Sequence, residues 1–219
     1  MVLYGYEELR YFTNWGVNIT CISFCILAYC HINEMINTKN NGQHVNVYSP
    51  WMSEKWAIFF SQLALTFEGV IVIFYWCILF PLHGHVGYSQ WEVIQDYINH
   101  AVPVTVLFLD FVMNVVPFHF RHLPFFLGIM IIYGFGVNMT VTLVSGTPVY
   151  TPLTWKTPMS WAYVGGLLTL AVISFSTWYF ISVRKNKKYL SHLRQEKYVT
   201  SPDRQSVDTE ASGEYRKLW

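Results

Sequence analysis

Long apolar runs separated by short polar stretches make up most of this chain, and the length of those runs sets the first reading. A helix needs about 20 mostly apolar residues to cross the hydrocarbon core of a bilayer. Five segments reach that length or come close to it: Tyr11–Cys30, Trp56–Phe80, Asn99–Pro117, Leu123–Val144 and Met159–Val183. None alternates with the period of two expected of a membrane barrel strand, so each predicts a helix. The expected fold is all-α, a multi-pass transmembrane helical bundle of five spans within residues 1–183. Residues 184–219 form a cytoplasmic charged tail, largely disordered, because Ser201–Trp219 mixes Ser, Asp, Glu and Arg with little apolar content.

Composition sharpens this picture. Of 219 residues, 53% are hydrophobic and only 12% charged, about half the charged share of an average soluble domain. Nine of the 14 Lys/Arg and five of the 13 Asp/Glu fall in residues 184–219, which leaves 5 basic and 8 acidic residues for residues 1–183. So few charges cannot coat a globular surface. A soluble enzyme, a disordered chain and a nucleic-acid binder are thereby excluded, and the net charge of +1 recommends no polyanion. The surrounding partner is membrane lipid. Cys21, Cys25, Cys30 and Cys77 lie in apolar stretches without metal-site spacing and read as small buried hydrophobes. Met1–Arg10 is short and acidic, with no apolar run of the kind a cleavable signal peptide needs.

Loop charge sets the expected orientation. Arg184, Lys185, Lys187 and Lys188 directly follow the fifth span and assign the C-terminus to the cytoplasm. Counting back, Arg121 and the loop with Lys39 and Lys55 are inside. The loops 81–98 and 147–158, with Lys156 as their only basic residue, are outside, as is the N-terminus. Plasma membrane and endoplasmic reticulum both fit.

Polar residues inside apolar spans carry the candidate chemistry. Glu68 and Asp110 are expected near mid-depth of the second and third spans, with no Lys or Arg inside any span. A lone carboxyl there must be protonated, hydrogen-bonded, or bound to a cation or water. It then serves as an ion site, as an acid that orients a histidine, or as glue between helices. His100, Pro103, Leu107, Asp110 and Asn114 fall on one helical face, within an arc of about 80° at 100° per residue. Asn14, Asn18, Cys21 and Cys25 share a face of the first span beside Thr13, and Asn138, Thr140 and Thr142 lie in the outer half of the fourth. A polar cavity opening outward, lined by spans one, three and four, is the expected site.

The remaining motifs add less. His83/His85 and His119/His122 fall on opposite sides of the membrane and cannot share a centre, so neither a metal nor a cofactor is predicted. The sequons at Asn18 and Asn138 lie within spans and are discounted. Gly134, Gly136, Gly165 and Gly166 read as close helix contacts.

Several stretches together resemble a known family. Arg10-Tyr11-Phe12-Thr13-Asn14-Trp15-Gly16 opens the first span. Leu65-Thr66-Phe67-Glu68 leads to Tyr75-Trp76, and Asn99-His100 precedes Leu109-Asp110. Pro117, Arg121 and His122 follow, then Pro148-Val149-Tyr150 and Leu153-Thr154-Trp155-Lys156. Their order, over residues 10 to 183, resembles the rolling stone family linked to myoblast fusion. It resembles more distantly the androgen-induced membrane hydrolases of the same superfamily. The nearer resemblance implies a role in cell-surface contact, fusion or membrane organisation. The hydrolase branch implies cleavage of fatty-acid esters, such as esters of hydroxy fatty acids. Thr13 would be the nucleophile and a histidine its base. The position matching that histidine is Pro103, which exchanges no proton, and His100 one turn away is the candidate substitute. Both branches carry a further helix before the one that bears the threonine. Here 12 residues precede Thr13, so that helix is either lost in this lineage or lies before the recorded start.

Three classes of function are therefore weighed: a non-enzymatic membrane protein with a membrane-protein partner or a second copy of itself, an intramembrane Thr/His lipid-ester hydrolase, and a proton-coupled transporter using Glu68 and Asp110. The absence of an inverted repeat disfavours the last.

Overall fold

The computed structural model describes residues 9–41, 52–84, 87–114 and 116–200, and among them every regular element is helical. Helix α1 is Phe12–Asn41. Helix α2, Met52–Phe74, runs on through a π-helical turn, Tyr75–Leu79, into a short α-helical turn, Phe80–His83. Helix α3 is Gln90–Met113. After a 3₁₀ turn, Phe120–His122, helix α4, Leu123–Ile131, widens into a π-helical stretch, Ile132–Met139, and closes with Thr140–Ser145. Helix α5 is Pro158–Thr200. Four stretches among the described residues are long and apolar enough to cross a membrane: Phe12–Ile36, Glu54–Leu82, Phe120–Ser145 and Pro158–Lys188. At 24 residues α3 has the length, about 36 Å, but its first turns carry Gln90, Glu92, Gln95, Asp96 and Asn99. The molecule is an all-α bundle of membrane-protein character.

Helix α2 is the axle. Its apolar residues occur all round it, and a helix of that kind is buried on every side. Leu63, Ala64, Phe67 and Val70 are at most 1% exposed, and α1, α3 and α5 all pack on it. Aromatic rings join the layers. Phe67 meets Phe12 of α1 at 5.0 Å and Phe126 of α4 at 4.8 Å, while Phe175 of α5 meets Phe118 at 5.4 Å. Two glycines set the closest approaches. A Cβ at Gly16 would meet the side chains of Ile71 and Glu68, and one at Gly69 would come within 2.8 Å of Ser174 Oγ. The glycines singled out by sequence do not make helix contacts. A Cβ at Gly134, Gly165 or Gly166 meets nothing within 4 Å, and one at Gly136 meets only its own helix. Small residues permit close packing without requiring it.

The cysteine reading is corrected as well. Cys21, Cys25 and Cys77 are exposed and Cys30 is intermediate. In lipid an apolar side chain gains nothing by moving inward, so the apolar face of a span is not its buried face. The fifth helix also runs well beyond the end expected at Val183, reaching Thr200. His85 and the segment 201–219 lie outside the described residues.

Helix α3 begins nine residues before the span expected for it, and this relocates Asp110. Ser89 caps the helix, its hydroxyl accepting from Glu92 N (3.3 Å) while Glu92 Oε2 accepts from Ser89 N (2.7 Å). This reciprocal capping box is written as Ser-x-x-Glu in the sequence. Donation to this carboxyl from Ser89 N, and from Ser89 Oγ at 2.8 Å, holds Glu92 below its ordinary pKa. The helix ends at Met113, so Asp110 sits in its last turn and not at mid-depth.

Polar side chains clamp the turn that follows. Gln62 of α2 donates from Nε2 to the Pro117 carbonyl (2.6 Å), and its Oε1 lies 2.7 Å from His122 Nδ1. Ser182 Oγ donates to the Val116 carbonyl (3.1 Å), and Lys185 donates to the carbonyls of Phe111 and Asn114. We call this the turn end of the bundle and the opposite end, with residues 146–157, the loop end.

Candidate functional site

At the loop end the sequence builds a lid from Gly146 to Thr157. Gly146 closes the helix before it in the left-handed conformation, at φ 72°. Trp155 is the one non-glycine residue with positive φ (61°) among the described residues. Such a backbone is unfavourable for a bulky residue and persists only where its surroundings over-determine it. Here Ser160 Oγ accepts from Trp155 N (3.1 Å), and the indole Nε1 donates to Asn138 Oδ1 (2.8 Å). The ring packs on Phe135 and Trp161. Trp155→Phe should keep the ring and strand the Asn138 oxygen. The expected cost is about 1–3 kcal/mol, read as a lower unfolding temperature in detergent.

Beneath this lid lies a partly open cavity of about 50 Å³. Phe12 of α1 and Phe74 of α2 form one wall, with Tyr133, Gly134 and Asn138 on the π-helical stretch opposite. Tyr150, Leu153 and Trp155 of the lid cover it, and Val164, Leu167 and Leu168 of α5 complete it. The expected lining by spans one, three and four is thus corrected: α3 contributes nothing to it, while α2, α5 and the lid do. The polar character expected of the cavity is corrected too, because its lining is almost wholly apolar.

The eight residues named from sequence are distributed over separate environments. Asn138 is fully buried and lines the cavity. Thr13 lies beside it, its side chain next to the Tyr150 hydroxyl, which accepts from Phe12 N (2.8 Å). Burial pushes the Tyr150 phenol above its ordinary range, which keeps this hydroxyl neutral. Tyr133 donates to the Arg10 carbonyl (2.6 Å), tying down the chain that leads into α1.

His100, 7% exposed, belongs to a different cluster. Its ring stacks on Tyr75 with centroids 3.7 Å apart and planes 11° from parallel. Nε2 is 3.5 Å from Asp96 Oδ1, and Tyr75 donates its hydroxyl proton to Asp96 Oδ2. Nδ1 has no partner. No hydrogen bond joins Thr13 to His100.

Glu68 is fully buried where α1 crosses α2, accepting from Thr20 Oγ1 at 3.2 Å. It is six residues from Gln62 at the turn end and six from Phe74 at the loop end, about 9 Å from each along the axis. Asn14 is half-buried and its carbonyl accepts from Asn18 Nδ2 (2.8 Å), while Asn18 itself is exposed. Asp110 accepts from Asn114 Nδ2 (2.6 Å) at the turn end, with the Lys185 charge nearby. The reading that no cation serves either acid is therefore wrong for Asp110, because α5 carries Lys185 back along the bundle to the end of α3.

Sequence reasoning missed Tyr150, Tyr133, Tyr75 and Asp96 as site residues. Tyr150 and Tyr75 stood in the motifs quoted above, but nothing in their spacing shows where their hydroxyls point. Among the described residues no three His, Cys, Asp or Glu side chains gather as a metal site would require. Comparison with models of protein families, with curated proteins and with solved structures finds no match to this chain.

Proposed function

We propose that this membrane protein acts in cell-surface contact, fusion or membrane organisation, in the manner implied by its resemblance to the rolling stone family. The observation that supports this over lipid-ester hydrolysis is the separate engagement of Thr13 and His100. A threonine hydroxyl becomes a nucleophile only when a base within hydrogen-bond reach takes its proton. Thr13 lies beside a neutral phenol, and His100 is occupied by Asp96 and Tyr75. Pro103, on the same face as His100, supplies no base. The ordered motifs between Arg10 and Lys156 support the family reading.

The test expresses the full chain in cultured cells that do not otherwise fuse. Content mixing between two dye-loaded populations should rise above the vector control. A fluorophosphonate probe on membranes from the same cells should leave the protein unlabelled. Labelling that disappears in Thr13→Ala would overturn this reading in favour of the hydrolase.

A further inference from the structure

We infer that the lipid-facing side of α1 is a self-association surface, on which Asn18 pairs with Asn18 of a second copy of this chain. The depth of Asn18 makes the case. Thr20, two residues further along α1, is hydrogen-bonded to Glu68. Glu68 is the midpoint of the apolar stretch Glu54–Leu82 of α2. Asn18 therefore lies within about one helical turn, roughly 5 Å, of mid-depth, yet its side chain is exposed. One Nδ2 hydrogen goes to the Asn14 carbonyl (2.8 Å). A carbonyl only accepts, so the amide cannot be turned round. Oδ1 has no donor among the described residues. An amide oxygen facing hydrocarbon is costly, and polar side chains within spans bond across helices instead.

The spacing of the exposed residues is a second, independent observation. Asn18, Cys21, Cys25, Ala28, Ile32 and Met35 follow i, i+3, i+7, i+10, i+14 and i+17, and all six are exposed. This heptad spacing holds one seam against a partner helix in a left-handed pair, and a single asparagine in such a seam fixes its register. The seam covers an arc of about 100°. It lies opposite Phe12, Gly16, Thr20 and Ser23, which are buried. Topology names the occupant. Copies of one chain insert the same way up and carry Asn18 at one depth, and a two-fold axis along the membrane normal sets the two amides face to face. Each Oδ1 then accepts the second Nδ2 hydrogen of the other copy. A different protein would need its own donor at that depth. The inference does not rest on the fusion reading.

Full chains carrying donor or acceptor fluorophores at the C-terminus would be reconstituted together in phosphatidylcholine vesicles at falling protein-to-lipid ratios. Energy transfer should persist on dilution, and Asn18→Leu should weaken association about tenfold. Asn18 bonds only within its own helix, so this variant should keep its unfolding temperature. Ala28→Phe obstructs the seam and should weaken association at least as much, while Ile173→Phe on the exposed side of α5 should change nothing. Copper-phenanthroline oxidation of membranes gives a second readout. With Cys25→Ser, Cys30→Ser and Cys77→Ser, the remaining Cys21 should yield a product of twice the chain mass. With Cys21→Ser, Cys25→Ser and Cys30→Ser, the exposed Cys77 should not. Unchanged association in Asn18→Leu, or equal crosslinking through Cys77, would overturn the inference. A Cys21 product containing a different protein would overturn the second copy as its occupant.

Discussion

Gly16→Leu is expected to stop the bundle from assembling. A Cβ at this position comes 2.8 Å from Glu68 Oε1 and also collides with the Ile71 side chain. Both neighbours are the ends of side chains, which in a loose environment would move aside. Here Glu68 is 0% and Ile71 2% exposed, so neither has room to move. Overpacking by a single methyl costs about 1–3 kcal/mol in a well-packed core. A leucine adds three further carbons at a place already filled by the Ile71 and Glu68 side chains. The total approaches the whole stability of a typical domain, about 5–15 kcal/mol. Moving α1 outward also breaks the Thr20–Glu68 hydrogen bond and strands the carboxyl. The variant should elute from size exclusion in detergent as aggregate, with Gly165→Leu as a well-behaved control. A monodisperse Gly16→Leu with unchanged unfolding temperature would contradict the α1–α2 packing described above.

Lys185→Met should be the next most damaging substitution, for an electrostatic reason. The last carbonyls of a helix have no partner within it, and the helix end carries partial negative charge. Helix α3 aggravates this by placing Asp110 in its final turn. Lys185 answers both problems: its ammonium donates to the Phe111 and Asn114 carbonyls and lies 4.1 Å from the centre of the Phe111 ring. Methionine keeps the length and loses the donors and the charge. Charge-assisted hydrogen bonds contribute about 1.5–3 kcal/mol each. Because Lys185 is only half-buried, the net loss expected is about 2–3 kcal/mol, read as a lower unfolding temperature. Adding Asp110→Asn should recover part of it, since the acid no longer lacks its cation. Strict additivity of the two changes in a double-mutant cycle would sink this account.

How much of the site was legible depends on the kind of residue. Asn138 stood out because an amide within an apolar span is expensive and draws notice in any lipid-spanning sequence. The inward face of α3 was equally legible: His100 and Leu107 repeat at helical spacing, and both are buried. Tyr133 and Tyr150 were not, because an aromatic residue is as common facing lipid as facing a neighbour. The two π-helical stretches break the 3.6-residue period that such reasoning assumes. A wider turn rotates everything after it, so the bearing of Asn138 toward Trp155 could not be extrapolated from the start of α4.

The sequence by itself determined the class of the protein: stretches of about 20 apolar residues cannot remain in water, and in lipid the backbone must satisfy itself as helix. It also contained the true start of α3, in the pair Ser89 and Glu92. Only the tertiary structure decided which helix is central, which glycines touch a neighbour, that Lys185 serves the end of α3, and that Thr13 and His100 have separate surroundings. The physical reason lies in the solvent. Hydrophobicity separates inside from outside when water surrounds a protein, but lipid erases that distinction. Helix rotation and neighbour choice then rest on side-chain packing and on single hydrogen bonds between residues far apart in the chain.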